Sequence, residues 1–372
     1  MHKMSKKNIT VAVGMSGGVD SSLAAALLKN EGYKVIGLTM AVYNGEPVSG
    51  AGGGHACYGP GEDDDLLITK EVCDFLGIEH FTIDLKEDYK KNVLDHFKNE
   101  YSCGRTPNPC TRCNPMLKFG KMLQKAKSTG VDFQYFATGH YVRIEYDQNK
   151  ERHFLKRGSY IPKDQSYFLY GLKAEQLKDL IFPLGRFSKE EVRKMAKDLN
   201  LPVSMRQESQ DFIEGGSYAG LFSEDKKIPG NIIDVMGNKL GTHKGIINFT
   251  IGQRKGIGIA ASEPLYVVGI DSKNNNIVAG SKELLYADTL VARDLNYVSM
   301  EAPDKSLNVQ AKIRQNHSPQ DAELIPLEGG GSKIVFNKPQ MSITKGQSVV
   351  FYDEDIVLGG GVIDEVLKHE GL

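Results

Sequence analysis

The chain of 372 residues has no apolar run long enough to span a bilayer, and its first seven residues lack the apolar core of a secretory signal. It also has no excess of one charge. Its 46 basic and 47 acidic residues give a formal net charge of −1, so no global positive field indicates a nucleic-acid partner. We therefore expect a cytoplasmic protein without a membrane partner, in which any basic face is local.

Cysteine is scarce and unevenly placed. All five cysteines lie between Cys57 and Cys113. Their number and spacing do not fit the disulfide framework of a small secreted domain. Any thiol chemistry should therefore belong to the N-terminal part of the chain.

A glycine- and serine-rich segment joins a short β-branched run, Ile9–Val13, to a helix-forming run, Leu23–Leu28. Free N–H groups at the start of a helix favour phosphate, and glycines allow its close approach. No lysine follows the glycines, so the segment is not a Gly-x4-Gly-Lys-Ser/Thr loop. It resembles the pyrophosphate loop (PP-loop) of the N-type ATP pyrophosphatases. The residues expected to bind ATP there are Gly14, Met15, Ser16, Gly17, Gly18, Val19, Asp20 and Ser21.

Alternating strand-like and helix-like segments in the first half indicate an α/β fold with a doubly wound parallel sheet. This domain, similar to the adenine nucleotide alpha hydrolases, is assigned to residues 1–215. Short strand-like runs, including 246–250, predict a small β-rich middle domain over 216–286. Residues 287–372 predict a C-terminal β-barrel.

The ends of two strands are candidates for contact with the adenosine part of a nucleotide whose phosphates bind at the first βα turn. Met40 ends the second strand, a place suited equally to adenine contact or to the core. Gly139, after a later strand, could let adenosine lie against the backbone, and His140 would point into the same crevice. A lone histidine is more often structural.

The proline-stiffened stretch from Gly104 to Asn114 contains Cys110 and Cys113. Their position near a helix start, with Arg105 and Arg112 close in sequence, predicts depressed thiol pKa values. The Cys-x-x-Cys spacing suits an internal disulfide or two ligands of a metal or iron–sulfur cluster. No second pair completes a zinc site.

Several motifs together resemble the MnmA-type tRNA-specific 2-thiouridylases over nearly the whole chain. These motifs are Gly-Met-Ser-Gly-Gly-Val-Asp-Ser-Ser, Gly-Arg-Thr-Pro-Asn-Pro, Ala-Thr-Gly-His-Tyr, Lys-Asp-Gln-Ser-Tyr, Thr-Ile-Gly-Gln-Arg-Lys-Gly and Lys-Gly-Gln-Ser-Val. The resemblance implies an enzyme that uses ATP and Mg²⁺ to adenylate the C2 carbonyl of the wobble uridine. Sulfur then displaces AMP to give 2-thiouridine.

The resemblance also implies roles for individual residues. Cys113 matches the nucleophile, and Asp20 and Cys110 are assigned with it to catalysis. Asn108, Pro109 and Cys110 would face the target base. The remaining positions implied to touch tRNA are His140, Lys163, Asp164, Gln165, Arg314, Gln315 and Gln347.

One departure from the family pattern concerns sulfur transfer. The family's usual second catalytic cysteine is absent, and Ile213 occupies its expected position. We hypothesise a [4Fe–4S] cluster held by Cys110, Cys113 and a third ligand, Cys57 in preference to Cys103. The competing hypothesis is a persulfide on Cys110 or Cys113, resolved as a disulfide between them. The sulfur source would be a cysteine desulfurase, a sulfur-relay protein or free sulfide.

Other functions stay open at this point. A related enzyme could thiolate another tRNA base. An amidating ligase would keep the ATP loop but needs no reactive cysteines. A non-catalytic RNA-binding module would explain the β-rich half of the chain but leaves the ATP loop without a purpose.

Overall fold

The structure is a computed structural model that describes residues 6–46, 56–206, 211–213, 218–222 and 228–367. The strands are β1 (Thr10–Gly14), β2 (Lys34–Ala41), β3 (Ala56–Tyr58), β4 (Glu79–Asp84), β5 (Tyr135–Thr138), β6 (Val142–Asp147), β7 (Arg152–Arg157), β8 (Leu180–Ile181), β9 (Asp211–Ile213), β10 (Gly230–Ile233), β11 (Lys239–His243), β12 (Tyr266–Asp271), β13 (Asn276–Gly280), β14 (Tyr286–Asn296), β15 (Leu307–Lys312), β16 (Gln320–Pro326), β17 (Ser332–Met341), β18 (Ser348–Asp353) and β19 (Ile356–Leu367). The helices are α1 (Val19–Asn30), α2 (Glu62–Leu76), α3 (Lys86–Tyr89), α4 (Asp95–Ser102), α5 (Pro109–Cys113), α6 (Met122–Ser128) and α7 (Lys189–Asp198), with π-helical segments Lys90–Leu94 and Asn114–Lys121.

The chain forms two compact units, of which the first contains residues 1–93, 110–217 and 355–358. Its centre is a parallel sheet in the order β4-β2-β1-β5-β8, which confirms the predicted doubly wound α/β class. The apolar run of β1 is fully buried because helices cover both faces of such a sheet. The carboxyl ends of β1, β2 and β5 meet at one edge, where Gly14 lies opposite Leu38 and Thr138.

Two further pairings in the first unit were not predicted from the sequence. β6 and β7 form an antiparallel hairpin, in which Val142 lies opposite Arg157. β3 pairs with β9 in parallel, so that Tyr58 lies opposite Ile213. The region of the missing family cysteine therefore runs beside the strand that carries Cys57.

The second unit contains residues 94–109, 218–354 and 359–372. A four-stranded sheet, β11-β10-β13-β12, encloses a small core around Ile232, Val267 and Ile277. Six strands in the order β14-β17-β16-β15-β18-β19 close into the predicted barrel, since β14 also pairs with β19. The expected strand at 246–250 is wrong, because Ile246–Asn248 is a 3-10 helix whose isoleucines are buried.

None of the helices in the described ranges is both long and apolar enough to cross a membrane.

Candidate functional site

The turn between β1 and α1 has the geometry of an anion-binding loop. Gly17 has a left-handed φ of 67°, and Gly18 precedes the helix without a side-chain cap. The first-turn N–H groups of α1 are thus not bonded by a capping side chain. Inside the loop the Ser21 hydroxyl accepts a bond from the Ser16 N–H at 3.2 Å and donates to the Gly18 carbonyl at 3.2 Å. The serines therefore fix the shape of the loop expected to bind ATP.

Asp20 is held in place by side chains that sequence analysis missed. One of its carboxylate oxygens accepts from Lys189 Nζ at 2.7 Å and from the Tyr141 hydroxyl at 2.9 Å. Lys189 is buried at the start of α7, where Ser188 and Glu191 form a reciprocal capping box. The acidic residue of the loop is therefore anchored from a helix far along the chain.

Arg206 supports the same loop from another side. Its guanidinium donates to the Gly17 carbonyl at 2.7 Å and pairs with Asp65 near the start of α2. The left-handed φ of Gly17 favours glycine, and a Cβ there would also lie 3.0 Å from the Asp65 carbonyl oxygen and 2.8 Å from an Arg206 nitrogen.

Close packing against α1 requires glycine at position 139, whether or not a nucleotide also approaches it. A Cβ at this position would lie 2.7 Å from the Asp20 carbonyl carbon and 2.8 Å from the Ser21 nitrogen. The end of β5 thus contacts the first turn of α1 directly. Met15 is buried beneath the loop, and Met40 is half-buried at the end of β2.

Cys110 and Cys113 lie one turn apart on α5, in the same unit as the loop. Side chains at i and i+3 of a helix have Cβ atoms about 5–6 Å apart, whereas the Cβ atoms of a disulfide are about 3.5–4.5 Å apart. Neither cysteine is in a disulfide, and both residues are half-buried. A bond between the two sulfurs therefore requires this turn to tighten by about 1–2 Å.

The predicted depression of the thiol pKa values is wrong. Burial raises the pKa of both Cys110 and Cys113 to about 12. Buried Tyr89 lies close enough for its own pKa to be raised, first by burial and then by the charges of these two thiols and of Cys57. Tyr89 stacks on Tyr58 with ring centroids 5.5 Å apart, so the environment of the thiols is aromatic. Low polarity there favours the neutral thiol.

The two arginines expected to activate the thiols have other partners. Arg112 Nε donates to the Asn92 carbonyl at 2.5 Å. In the second unit, Arg105 pairs with Glu100 at 2.7 Å and with Asp364 at 3.0 Å. The positive charge that does lower the thiol pKa values is that of Lys118.

Lys118 reaches the thiols because the helix changes its period after Cys113. Residues 114–121 are π-helical, with bonds from i to i+5. That winding brings position 118 back toward the face of position 113, which the 3.6-residue period of an α-helix would not do. The sequence alone does not show this contact, because Lys118 follows Cys113 by five residues rather than by three or four.

His140 lies among aromatic rings at the end of β5. Its ring centroid is 5.9 Å from that of Phe119 and 6.3 Å from that of Phe182, and its Nδ1 is 2.7 Å from the Thr138 hydroxyl. Burial, with the charge of Lys118, holds its pKa well below 6.5. At neutral pH this side chain is therefore an uncharged hydrogen-bonding group.

The Lys163–Gln165 segment is braced within the first unit. Buried Asp164 accepts from the Gly158 N–H at 3.0 Å and from the Ser166 hydroxyl at 2.9 Å. Gln165 accepts from the Tyr141 N–H at 2.9 Å. Asp164 and Gln165 thus shape the loop, and of the three only Asp164 is fully buried.

In the second unit, a residue expected to contact tRNA forms a hydrogen bond to the segment that precedes the cysteine pair in the sequence. Gln347 donates to the Thr106 carbonyl at 2.9 Å, and the Thr106 N–H donates to the Lys345 carbonyl at 2.9 Å. These bonds fix the loop that carries Asn108 and Pro109. Arg314 donates to the Met341 carbonyl at 3.0 Å, and Gln315 follows it after β15.

The three cysteines assigned to a metal do not form a ready coordination site. Cys57 acts electrostatically on Cys110 and Cys113, so the thiols are neighbours. Yet no group of three or more histidine, cysteine, aspartate or glutamate side chains suited to a metal ion occurs within the described part of the chain. The residues as arranged do not fit a preformed [4Fe–4S] site.

Comparison with known proteins places this geometry in a family. Family models match residues 9–214 as a tRNA methyl transferase HUP domain, 222–281 as its PRC-barrel domain and 287–363 as an aminomethyltransferase β-barrel domain. A tRNA-specific 2-thiouridylase MnmA 2 of Thermoanaerobacter sp. is 46% identical over 97% of this chain and 99% of its own length. The chain belongs to the MnmA family. The MnmA of Acetivibrio thermocellus is 47% identical over 97% of this chain and all of its own length.

The resemblance read from the motifs is thereby confirmed. A solved 4-thiouridine synthetase in complex with RNA and ATP is similar at 15% identity and a TM-score of 0.32, over 53% of this chain and 42% of that one. That similarity is too low to add to the assignment.

Proposed function

We propose that this MnmA-family protein uses ATP to adenylate the C2 carbonyl oxygen of the wobble uridine of tRNA and then replaces that oxygen with sulfur. The observation that carries the proposal is the presence, in one compact unit, of an anion-binding loop and a one-turn pair of cysteines. ATP makes the oxygen a leaving group, and a thiol-borne sulfur displaces it.

The ATP step rests on the β1–α1 loop. The first-turn N–H groups of α1 and the glycines receive the phosphates, while Asp20, tied to Lys189 and Tyr141, keeps the loop in shape. Mg²⁺ bound with the nucleotide would supply positive charge to the departing pyrophosphate. The uridine must leave its stack to reach this site.

The sulfur step uses the Cys110–Cys113 pair. A cysteine desulfurase persulfide first transfers its outer sulfur to the Cys113 thiolate and is left as a thiol. The outer sulfur of the Cys113 persulfide then attacks C2, the C2–O bond to AMP breaks, and AMP leaves. The Cys110 thiolate then attacks the Cys113 sulfur. The S–S bond breaks, sulfur stays on C2, and a Cys110–Cys113 disulfide forms. A thiol reductant supplies two electrons to restore the pair.

This route is favoured over the iron–sulfur hypothesis by the arrangement of the thiols. The pair lies on one helical turn with Cys-x-x-Cys spacing, whereas the described residues offer no three-ligand metal set. We therefore derive no step through a cluster. Cys57 is a neighbouring thiol that could also accept the sulfur as a persulfide.

The test is a complete reaction with purified full-length protein, ATP, Mg²⁺, a tRNA transcript, and a cysteine desulfurase with cysteine as the persulfide donor. We expect AMP and 2-thiouridine, the latter detected by nucleoside mass spectrometry. Cys113→Ala should still release pyrophosphate but form no thiolated product, whereas Cys103→Ala, at an exposed thiol outside α5, should behave as wild type. Absence of adenylate in the wild-type reaction would refute the proposal.

Anaerobic purification with iron and acid-labile sulfide assays separates the two sulfur routes. Colourless, iron-free and active protein supports the persulfide route. Stoichiometric iron that is lost together with activity in Cys57→Ala would overturn it in favour of a cluster.

A further inference from the structure

A cavity outside the candidate site lies in the first unit, between the β6–β7 hairpin and residues 177–186. Its volume is about 420 Å³. This is within the roughly 300–1,000 Å³ of ordinary small-ligand pockets. We call it the basic groove and define it by Arg143, Tyr146, His153, Lys178, Phe182 and Arg186.

The charged side chains that line the basic groove are all cationic. Arg143 is already compensated, because it pairs with Glu145 at 3.0 Å and with Asp355 at 2.6 Å. Lys178 is exposed, and Arg186 is 73% exposed and lies 3.9 Å from Glu145. These two side chains therefore carry the positive charge that an incoming anion would meet.

The groove also presents aromatic surfaces. Tyr146 is 53% exposed, and its ring lies 4.9 Å from that of His153. An exposed tyrosine beside flexible cations is the combination on which unpaired nucleotides stack while their phosphates are neutralised. Phe182, at the other end, contacts the ring of His140, so the groove reaches the edge of the candidate site.

We propose that the basic groove binds one unpaired nucleotide of the tRNA other than the uridine that is modified. Its base stacks on Tyr146, and its phosphate lies between Lys178 and Arg186. The inference rests on the proposed function, since it takes tRNA as the substrate. It adds a positioning contact on a hairpin that the family motifs do not include.

The experiment measures binding of a tRNA transcript to full-length protein by fluorescence anisotropy at several salt concentrations. Tyr146→Ala should weaken binding about tenfold, as expected for loss of one stacked base, and Tyr146→Phe should restore it. Lys178→Ala/Arg186→Ala should lower the slope of log K against log salt by about 0.7, for the one phosphate of a single strand that these two side chains neutralise. All three side chains are exposed, so their truncation leaves the core intact.

A matched control removes the same charge elsewhere in the unit. Lys194→Ala/Lys197→Ala changes two exposed lysines of α7 and should leave the salt slope unchanged. ATP affinity, measured in parallel, should be the same in every variant.

The outcomes are distinguishable. If wild-type protein binds the transcript and the groove variants bind it equally well with the same slope, the inference is overturned. Loss of ATP or AMP binding in the variants with tRNA binding unchanged would also overturn it, by making the groove a free-nucleotide site. Failure of the wild type itself to bind tRNA would instead refute the proposed function.

Discussion

The ion pair between Asp20 and Lys189 should stabilise the first unit far more than an ordinary surface pair. It joins the ATP loop to α7 at 2.7 Å, and the side chains of Lys189 and Asp20 are 8% and 31% exposed. Asp20→Asn would leave a buried ammonium without this carboxylate. Lys189→Met would leave a carboxylate that retains access to water, so its cost should be smaller.

The magnitude follows from burial. Two unit charges at this distance attract by about 6 kcal/mol at an effective dielectric constant of about 20, and desolvation of the lysine offsets much of that. Breaking fully buried pairs costs about 3–5 kcal/mol, and exposed pairs contribute about 0–1 kcal/mol. With Asp20 about a third exposed, we expect about 2 kcal/mol for Asp20→Asn, or roughly 4–8 °C in the melting temperature of a unit of this size.

The assay is thermal and urea unfolding of the two single variants and the double variant. The double variant should be more stable than additivity predicts by about 1–2 kcal/mol. The control is Lys6 with Glu31, which are 2.8 Å apart but 48% and 52% exposed, so Glu31→Gln should cost much less than Asp20→Asn. Equal costs for Asp20→Asn and Glu31→Gln, or strict additivity in the double variant, would refute the reasoning.

Three further predictions concern the loop and the thiols. Gly139→Ala places a methyl group 2.7 Å from the Asp20 carbonyl carbon, so ATP affinity measured by calorimetry should fall at least about fivefold, and unchanged affinity would contradict the packing argument. Because burial raises the pKa of Cys110 and Cys113 to about 12, their alkylation followed by mass spectrometry should still accelerate at pH 10, and a plateau below pH 9 would disprove this. Their protonated forms stabilise the fold below pH 9, and that contribution is lost as the pH rises toward about 12. Lys118→Met removes the cation that favours both thiolates, so it should slow the same alkylation roughly tenfold at a fixed pH. The control is Lys121→Met, which should leave the alkylation rate unchanged because Lys121 pairs with Asp88.

The features that could be predicted from the sequence are those formed by residues close together in the chain. The strand, glycine turn and helix of the ATP loop are neighbours in sequence, so their order alone predicts β1, the turn and α1. The doubly wound sheet and the closed barrel followed in the same way from alternating and clustered strand patterns. The error at 246–250 arose because a short apolar run is buried equally well as a strand or as a helical turn.

Contacts between residues far apart in the sequence could not be predicted from local patterns. Lys189 and Arg206 support the ATP loop from positions that carry no local signal of the contact. The direction of the thiol pKa shift could not be read for the same reason, because nearness in sequence suggested Arg105 and Arg112 as activators while folding directs both to other groups.

The sequence by itself determined the family, the sheet class and the segments proposed for phosphate binding and sulfur chemistry, because these depend on residue type and short spacing. Only the tertiary structure decided the charge environment of each functional group, because a side chain's solvation and ionic partners come from elements brought together by the whole fold. Asp20 anchored by Lys189, neutral thiols beside Lys118 and the basic groove on the β6–β7 hairpin all belong to that second class.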